Sequence, residues 1–338
     1  MRSTLQTFLN AFTYPDKTVY PVASQIKSDF FNLARVYTDL VLHPRLLKET
    51  FFQEGHHLEF TIPDDLTSDL TISGIVYNEM KGAYSSPDSL MYKEIQENLY
   101  PGSVYAFDSG GDPDVIPTLT YEEFCKFHRT YYSPSNARFF LYGDIPTAEH
   151  LEFLEEMLAG FERVEVNSEI LSQEPLTSPR IIRSTYPVEK NESLTRKSSV
   201  NLAWMLSENT DYENSLILEI ISGLLVGNPA SPLRKALIDS GLGEDLTPVS
   251  GIEGDLKQLL FAVGLRNVDS AAAPQIEQLI LTTLENIVST GYDADLIEGI
   301  LHQIEFHGKE IVRGSYPYGI ALMGSVFQSW LYDGDPLI

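Results

Sequence analysis

Apolar positions follow two different periods along this 338-residue chain, and each change of period marks the end of an element. Leu5 to Phe12 and Thr18 to Ala23 are short β-type runs, separated by the turn signal Thr13-Tyr-Pro-Asp-Lys. From Ser28, a suitable N-cap, the spacing becomes helical, with Phe31, Ala34, Tyr37 and Val41 on one face and His43-Pro44 as the stop. A second short helix is expected over Arg45 to Gln53, then a strand over His57 to Ile62 beyond Gly55. Leu70 to Tyr84 reads as one helix with Ile72, Ile75, Val76 and Met80 as its buried face. Ser89 to Leu99 and Tyr121 to Tyr131 are also helical. Asn136 to Gly143 reads as a strand closed by a glycine turn.

From about Phe161 to Ser199 the chain turns polar and proline-bearing, the signature of a linker with one edge strand in it. Periodicity then returns. Val200 to Leu206 alternates as a strand, Asn214 to Val226 is apolar and helical, and Pro232 to Ser240 is a helix stopped by Gly241. Leu259 to Leu265 is a second strand, and Ile276 to Val288 is an amphipathic helix with Gly291 as its stop. This order echoes the first part without a residue-level repeat. The expected fold class is therefore α+β: two related domains, residues 1–160 and 200–338, joined by a linker at 161–199, each a mostly antiparallel sheet packed by helices. At about 150 residues per domain, the length suits two.

Composition narrows the functional classes. Hydrophobic residues make up 43 % and charged residues 21 %, enough apolar side chain for a sizeable core. No apolar run reaches the roughly 18 residues of a membrane span, and Met1-Arg2-Ser3-Thr4 opens no secretory signal, so a soluble, cytoplasmic protein without a membrane partner is expected. The 23 basic and 48 acidic residues give a net charge of −25, which repels a phosphate backbone and disfavours nucleic acid, while attracting cationic peptides and metal ions. The one cysteine, Cys125, sits in a helical pattern and reads as a small buried residue rather than a reactive thiol. A lone cysteine also excludes an intrachain disulfide framework and a Cys-rich zinc site. Any metal must be held by histidines and carboxylates.

A zinc hydrolase needs two or three imidazoles or carboxylates, an open position and a general base. The seven histidines supply two near misses. His56-His57-Leu58-Glu59-Phe60 has Phe60 where a second histidine would stand, and it lies in a strand pattern, where a solvated His57/Glu59 face is expected. His302 and His307 are five apart; at about 100° per residue that leaves them about 140° apart on a helix, too far to grip one ion. Ser109-Gly110-Gly111-Asp112-Pro113 reads as a tight loop, since Asp112 opposes phosphate. Asp64-Asp65 and Asp333-Gly-Asp335 lack the remaining spaced ligands of a calcium loop. Spacing alone yields an α+β protein without an assignable reaction.

Longer strings say more. Thr7-Phe-Leu-Asn-Ala-Phe-Thr-Tyr-Pro-Asp-Lys-Thr-Val-Tyr-Pro-Val-Ala-Ser, Gln53-Glu-Gly-His, Gly74-Ile-Val-Tyr-Asn-Glu-Met-Lys-Gly, Ser109-Gly-Gly-Asp-Pro, Tyr131-Tyr-Ser-Pro-Ser-Asn-Ala-Arg-Phe-Phe-Leu-Tyr-Gly-Asp and Ala230-Ser-Pro-Leu-Arg-Lys-Ala-Leu-Ile-Asp-Ser-Gly-Leu-Gly run in order over the chain. Together they resemble the presequence-protease branch of the pitrilysin/insulinase zinc metallopeptidases. The resemblance implies a metallopeptidase-type, LuxS-like α+β fold, in which two such domains form one half and two halves close around unfolded peptides. It implies a Zn2+ cofactor held by two histidines of a His-x-x-Glu-His helix and one distal glutamate. By match to Tyr77-Asn-Glu-Met-Lys-Gly, Glu79 takes the distal-ligand position. A carboxylate on this otherwise apolar helix is expected to be buried and to demand a cation or donor.

The resemblance also places Asn10, Ala11 and Phe12 on an edge strand that pairs with the substrate backbone, a sequence-tolerant mode of peptide binding. It puts the His-x-x-Glu-His helix upstream of that strand, outside this sequence, and the family's second half outside it too. The first domain is then expected to be truncated at its N-terminus and the second at its C-terminus, with no catalytic residue in the chain and no zinc retained by it. Three readings stay open. One is a portion of a zinc endopeptidase that degrades short unfolded peptides; another is a non-catalytic homologue that captures extended peptides or partners an active chain; the third is a misfolding-prone remnant whose uncovered core face makes it dimerise or aggregate. The expected partners are unfolded or extended peptides, the missing second half, and a further copy joined as a homo-oligomer through an exposed core face.

Overall fold

The longest ladder of the computed structural model joins two eleven-residue strands, Ser198–Glu208 and Gln258–Val268, antiparallel. The described residues are 6–311, 314 and 316–337; Leu5, at the head of the first expected strand, lies outside them. The chain groups into two compact units. One is Met1–Tyr84, Phe107–Leu171 and Arg313–Gly324; the other is Ser85–Ala106, Ser172–Val312 and Ser325–Ile338. This grouping crosses the boundaries expected at residues 160 and 200.

The first unit opens with β1 (Gln6–Leu9), β2 (Phe12–Thr13), β3 (Thr18–Val19) and β4 (Val22–Ser24), the two expected β runs each broken in two. β1 pairs β4 through Phe8↔Ala23 and Leu9↔Val22, and β2 pairs β3 across the predicted turn, where the Tyr14 N–H donates to the Lys17 carbonyl at 2.9 Å. Next come α1 (Lys27–Leu42), α2 (Lys48–Glu54), β5 (His57–Phe60), β6 (Leu70–Ser73) and α3 (Ile75–Ala83). The single helix expected over Leu70–Tyr84 is thus corrected. Leu70–Ser73 pairs with β5 (Leu58↔Ile72, Phe60↔Leu70), and the helix starts only after Gly74. The expected buried face is corrected too: Met80 is buried, but Ile75 and Val76 are 55 % and 38 % exposed.

After α4 (Pro87–Leu99), which belongs to the other unit, α5 (Tyr121–Tyr131) and α6 (Thr147–Leu158) complete the helices grouped wholly with the first. α5 starts at a capping box in which Thr120 and Glu123 satisfy each other's backbone N–H groups. His128 fixes it to α1 through a 2.9 Å hydrogen bond at the Val41 carbonyl. α6, which the periodicity did not reveal, packs on α1: Phe31 lies 5.3 Å from Phe153 by ring centroids, and Arg35 donates to both carboxylate oxygens of Glu156 at 2.9 and 3.0 Å. No strand is assigned to the expected Asn136–Gly143 segment. Its apolar, aromatic run Phe139 to Tyr142 supplies a strand's chemistry, but a ladder needs a registered neighbour. The edge strand expected within the linker is likewise not assigned among the described residues.

In the second unit β7 (Ser198–Glu208) precedes α7 (Tyr212–Val226) and α8 (Pro232–Asp239); then come β8 (Asp245–Leu246), β9 (Gly251–Glu253) and β10 (Gln258–Val268). β10 reads as a near-continuous apolar run because it is central: β7 lies on one side, β8 and β9 on the other, all antiparallel. The register Leu265↔Val200, Val263↔Leu202, Phe261↔Trp204 puts one face of both long strands into the core. α7, α8 and α9 (Ala273–Thr290) add Leu225, Leu237 and Ile280. α10 (Ala294–Lys309) and α11 (Tyr318–Trp330) are the last helices. Residues 85–106 group here for a local reason: the buried Tyr100 hydroxyl donates to the Gln258 carbonyl at 3.0 Å, and the Lys257 N–H donates to the Tyr105 hydroxyl at 2.7 Å.

Candidate functional site

Asn10 and Ala11 occupy the exposed step between β1 and β2, and Phe12 is half-buried at the start of β2. The Asn10 N–H donates to the Pro21 carbonyl at 3.3 Å, which continues the β1–β4 pairing one residue further. The Ala11 N–H is taken up locally by the Asn10 side chain at 2.9 Å. β1 and β4 form a ladder of two strands among the described residues, so each has one edge without a registered neighbour. Phe12 stands in a group of rings, 6.0 Å from Phe8 and 5.7 Å from Tyr316 by centroids. Tyr316 joins from a distant segment that sequence reasoning passed over; the aromatic, proline-bearing string Tyr316-Pro-Tyr is the signal that could have drawn attention to it.

Glu79 lies on α3, whose start is fixed by a close approach of backbones. Gly74 lies against Gly55 and His56, where an added Cβ would stand 2.7 Å from the Gly55 carbonyl carbon and 2.9 Å from His56 Cα. Glu79 follows Ile75 by four residues and Val76 by three, so the three share one helix face. All three are exposed, which corrects the expectation of a buried carboxylate. Glu79 makes no ion pair with a described residue. Glu79, Ile75 and Val76 thus form one exposed strip along α3.

The histidines have partners or settings of their own. His56 Nε2 is 3.0 Å from the Leu119 carbonyl, and His57 Nδ1 is 2.8 Å from the Phe52 carbonyl. His57 Nε2 also lies 3.6 Å from Glu59 on the half-exposed face of β5, as its strand spacing implied. His150 is buried against Phe30 and Phe31, and His302 and His307 are exposed along α10. Among the described residues no three His, Cys, Asp or Glu side chains converge to hold a metal ion. These residues do not by themselves fit a zinc ion.

Residues 118–304, more than half of the chain, match the family model described as the peptidase M16 inactive domain. This chain belongs to the M16 peptidase family. The protein HypA of Clostridium perfringens is 45 % identical over 342 residues, covering 100 % of this chain and 34 % of that protein. Presequence protease 1 of Arabidopsis thaliana, chloroplastic/mitochondrial, is 42 % identical, with 99 % of this chain and 31 % of that protein covered. The mitochondrial presequence protease of Mus musculus is 37 % identical over 100 % of this chain and 32 % of its own length. The chain therefore spans about a third of the length of these M16 relatives, and the presequence-protease-like resemblance holds over all of it.

The fold agrees. The crystal structure of the peptidase M16 inactive domain from Pseudomonas fluorescens superposes with a TM-score of 0.68 at 14 % identity, covering 96 % of this chain and 71 % of that one. A protease from Helicobacter pylori gives 0.63 at 15 % identity, with 96 % and 72 % covered. The expected α+β class of the M16 chain is thus confirmed. No described helix is long and apolar enough to cross a membrane.

Proposed function

We propose that this chain is a portion of a zinc endopeptidase that donates the Glu79 carboxylate to the metal and the Asn10–Phe12 segment to the backbone of a short unfolded peptide, and that alone it hydrolyses nothing. The observation that carries the reading is Glu79 itself. It is accessible, it has no cation of its own among the described residues, and it sits on a face bordered by Ile75 and Val76 that invites another element. The two imidazoles and the general base must come from outside this sequence, because one carboxylate cannot hold zinc at useful affinity. Asn10 and Ala11 support the peptide role by their exposure and by the unregistered edge of β1 beside them.

Two measurements test this. Calorimetry of residues 1–338 with Zn2+ should show no stoichiometric tight binding, and extended peptides should remain intact in its presence. In a longer protein that contains this chain, Glu79→Gln should lower zinc content and peptide hydrolysis by at least about ten-fold. Full zinc content in that variant would refute the assignment of Glu79. A second reading is favoured by the description of the matching family model: residues 118–304 match a domain called inactive. On that reading the chain captures extended peptides without metal, and peptide affinity unchanged by chelator distinguishes it.

A further inference from the structure

The core of the second unit has an open margin. Trp204 and Phe261 face each other across the β7–β10 register with ring centroids 6.0 Å apart, and with Leu206 they floor a cavity of about 160 Å3. Leu218 and Ile221 of α7 form one wall and Leu284 of α9 the other. Apolar cavities of about 150 Å3 accept a benzene ring, so this one is sized for a single leucine or phenylalanine side chain.

Apolar surface continues outward from the hole along both helices. Ile217 and Ile221, four residues apart on α7, are 43 % and 36 % exposed. On α9, Leu281 and Val288 flank Leu284 at helical spacing and are 38 % and 88 % exposed. α7 turns its opposite side toward α10, where an added Cβ at Gly223 would lie 3.1 Å from Ile300. Exposed carboxylates border the stripes one helical turn away, Glu213 from Ile217 on α7 and Glu277 and Glu285 from Leu281 on α9, while Glu219 shares the Gly223 side of α7; neither helix has a lysine or arginine.

We propose that this groove docks a basic amphipathic helix, which inserts one large apolar side chain between Trp204, Ile221 and Leu284 and lays its lysines and arginines along the glutamates of α7 and α9. Two apolar stripes leading to one hole suit a helix, whose own apolar residues recur at three and four positions. A second copy of this chain is opposed by the net charge of −25 that each copy carries. The proposal goes beyond the peptidase reading and does not depend on Glu79.

The test uses residues 1–338 with Trp330→Phe, which leaves Trp204 as the one fluorescent tryptophan of the two in the sequence. The probe is a synthetic leucine/lysine amphipathic peptide of about 18 residues, long enough to hold a helix on the surface. A peptide of identical composition with scrambled order is the control. Saturable binding with a shift of Trp204 emission is expected for the amphipathic peptide alone. Ile221→Lys, at a part-exposed position, should weaken it by at least about ten-fold with unchanged far-UV dichroism. Raising salt from about 50 to about 300 mM should weaken it too, and less so in the Glu213→Gln/Glu285→Gln variant. Equal affinity for the scrambled peptide, or unchanged affinity in Ile221→Lys, would overturn the proposal. So would a dimer that Ile221→Lys dissolves and the peptide cannot displace, since a second copy would then fill the groove.

Discussion

Replacing Gly74 with alanine should destabilise the first unit far more than one methyl group suggests, because that methyl meets backbone. Its ideal position is 2.7 Å from the Gly55 carbonyl carbon and 2.9 Å from His56 Cα. Carbon atoms rest at about 3.5–4.0 Å, so the junction of β6 and α3 must open by roughly 1 Å. Neither neighbour can swing aside: both lie where α2 ends and β5 begins, and β5 is tied to β6. Overpacking of this kind costs about 1–3 kcal/mol, and the upper half of that range is expected with no flexible side chain to yield. The first turn of α3 should bear the loss, since the Asn78 N–H donates to the Gly74 carbonyl at 2.9 Å. Gly82→Ala in the same helix is the internal contrast. There a Cβ meets nothing within 4 Å, and about 0.5 kcal/mol of stabilisation is expected from helix propensity. With two compact units, global unfolding is not assumed to be a single transition, so hydrogen exchange of the α3 amides is the deciding assay. If Gly74→Ala leaves the protection of Tyr77 and Asn78 within about 0.5 kcal/mol of the parent, the packing argument fails.

Further expectations follow from the same geometry. Leu265→Ala, at a fully buried position of the central strand, should cost about 2–5 kcal/mol in urea unfolding read by a probe in the second unit. Thr120→Ala removes one half of the capping box of α5 and should cost about 1 kcal/mol by thermal denaturation. The carboxyls of Glu123 and Glu156 are held below the usual carboxylate range, the first by hydrogen bonds from Thr120 and the second by the Arg35 guanidinium. Depressed carboxylates stabilise the fold above their unfolded pKa, near 4.3 for glutamate, and that contribution is lost as pH falls through the lower folded value. Melting temperature should therefore drop across the acid range, and Arg35→Gln should flatten its dependence on pH; an identical slope would count against the Arg35–Glu156 contribution.

Helices were legible wherever the apolar spacing and an end signal both lay within the segment itself. Ser28–Val41, Tyr121–Tyr131, Asn214–Val226, Pro232–Ser240 and Ile276–Val288 all correspond to observed helices, because 3.6-residue periodicity and end signals are local. Strands fared unevenly for the opposite reason. Val200–Leu206 and Leu259–Leu265 form because each is the other's registered neighbour. Asn136–Gly143 carries an equally good pattern and is assigned no strand. The Leu70–Tyr84 error was one of period: Thr71 and Ile72 are β-branched, but Ile72, Ile75, Val76 and Met80 also satisfy a helical spacing, and only the pairing with β5 decides between them.

The same logic explains why Glu79 was located correctly on a helix yet given the wrong environment. Apolar residues three and four positions before it mark a face that seeks cover; they do not provide the cover. Burial is a property of what packs on Ile75 and Val76, and the residue pattern within α3 does not specify that. The second unit shows the contrast: its core cluster is assembled from β7, β10 and the three helices α7 to α9, and there the apolar pattern and the observed burial agree at Leu225, Val263, Leu265 and Ile276. The exposure of Ile75, Val76 and Glu79 along one face of α3 is an observation that a substitution can probe. It places the decisive experiment at Ile75 and Val76. Replacing both with serine should leave residues 1–338 as stable as before, within about 0.5 kcal/mol, as expected of exposed positions. In a longer protein that covers this face, the same pair should cost about 2 kcal/mol or more, as expected of buried ones. Equal effects in the two proteins would show that nothing covers α3 and would remove the structural ground for assigning a metal to Glu79.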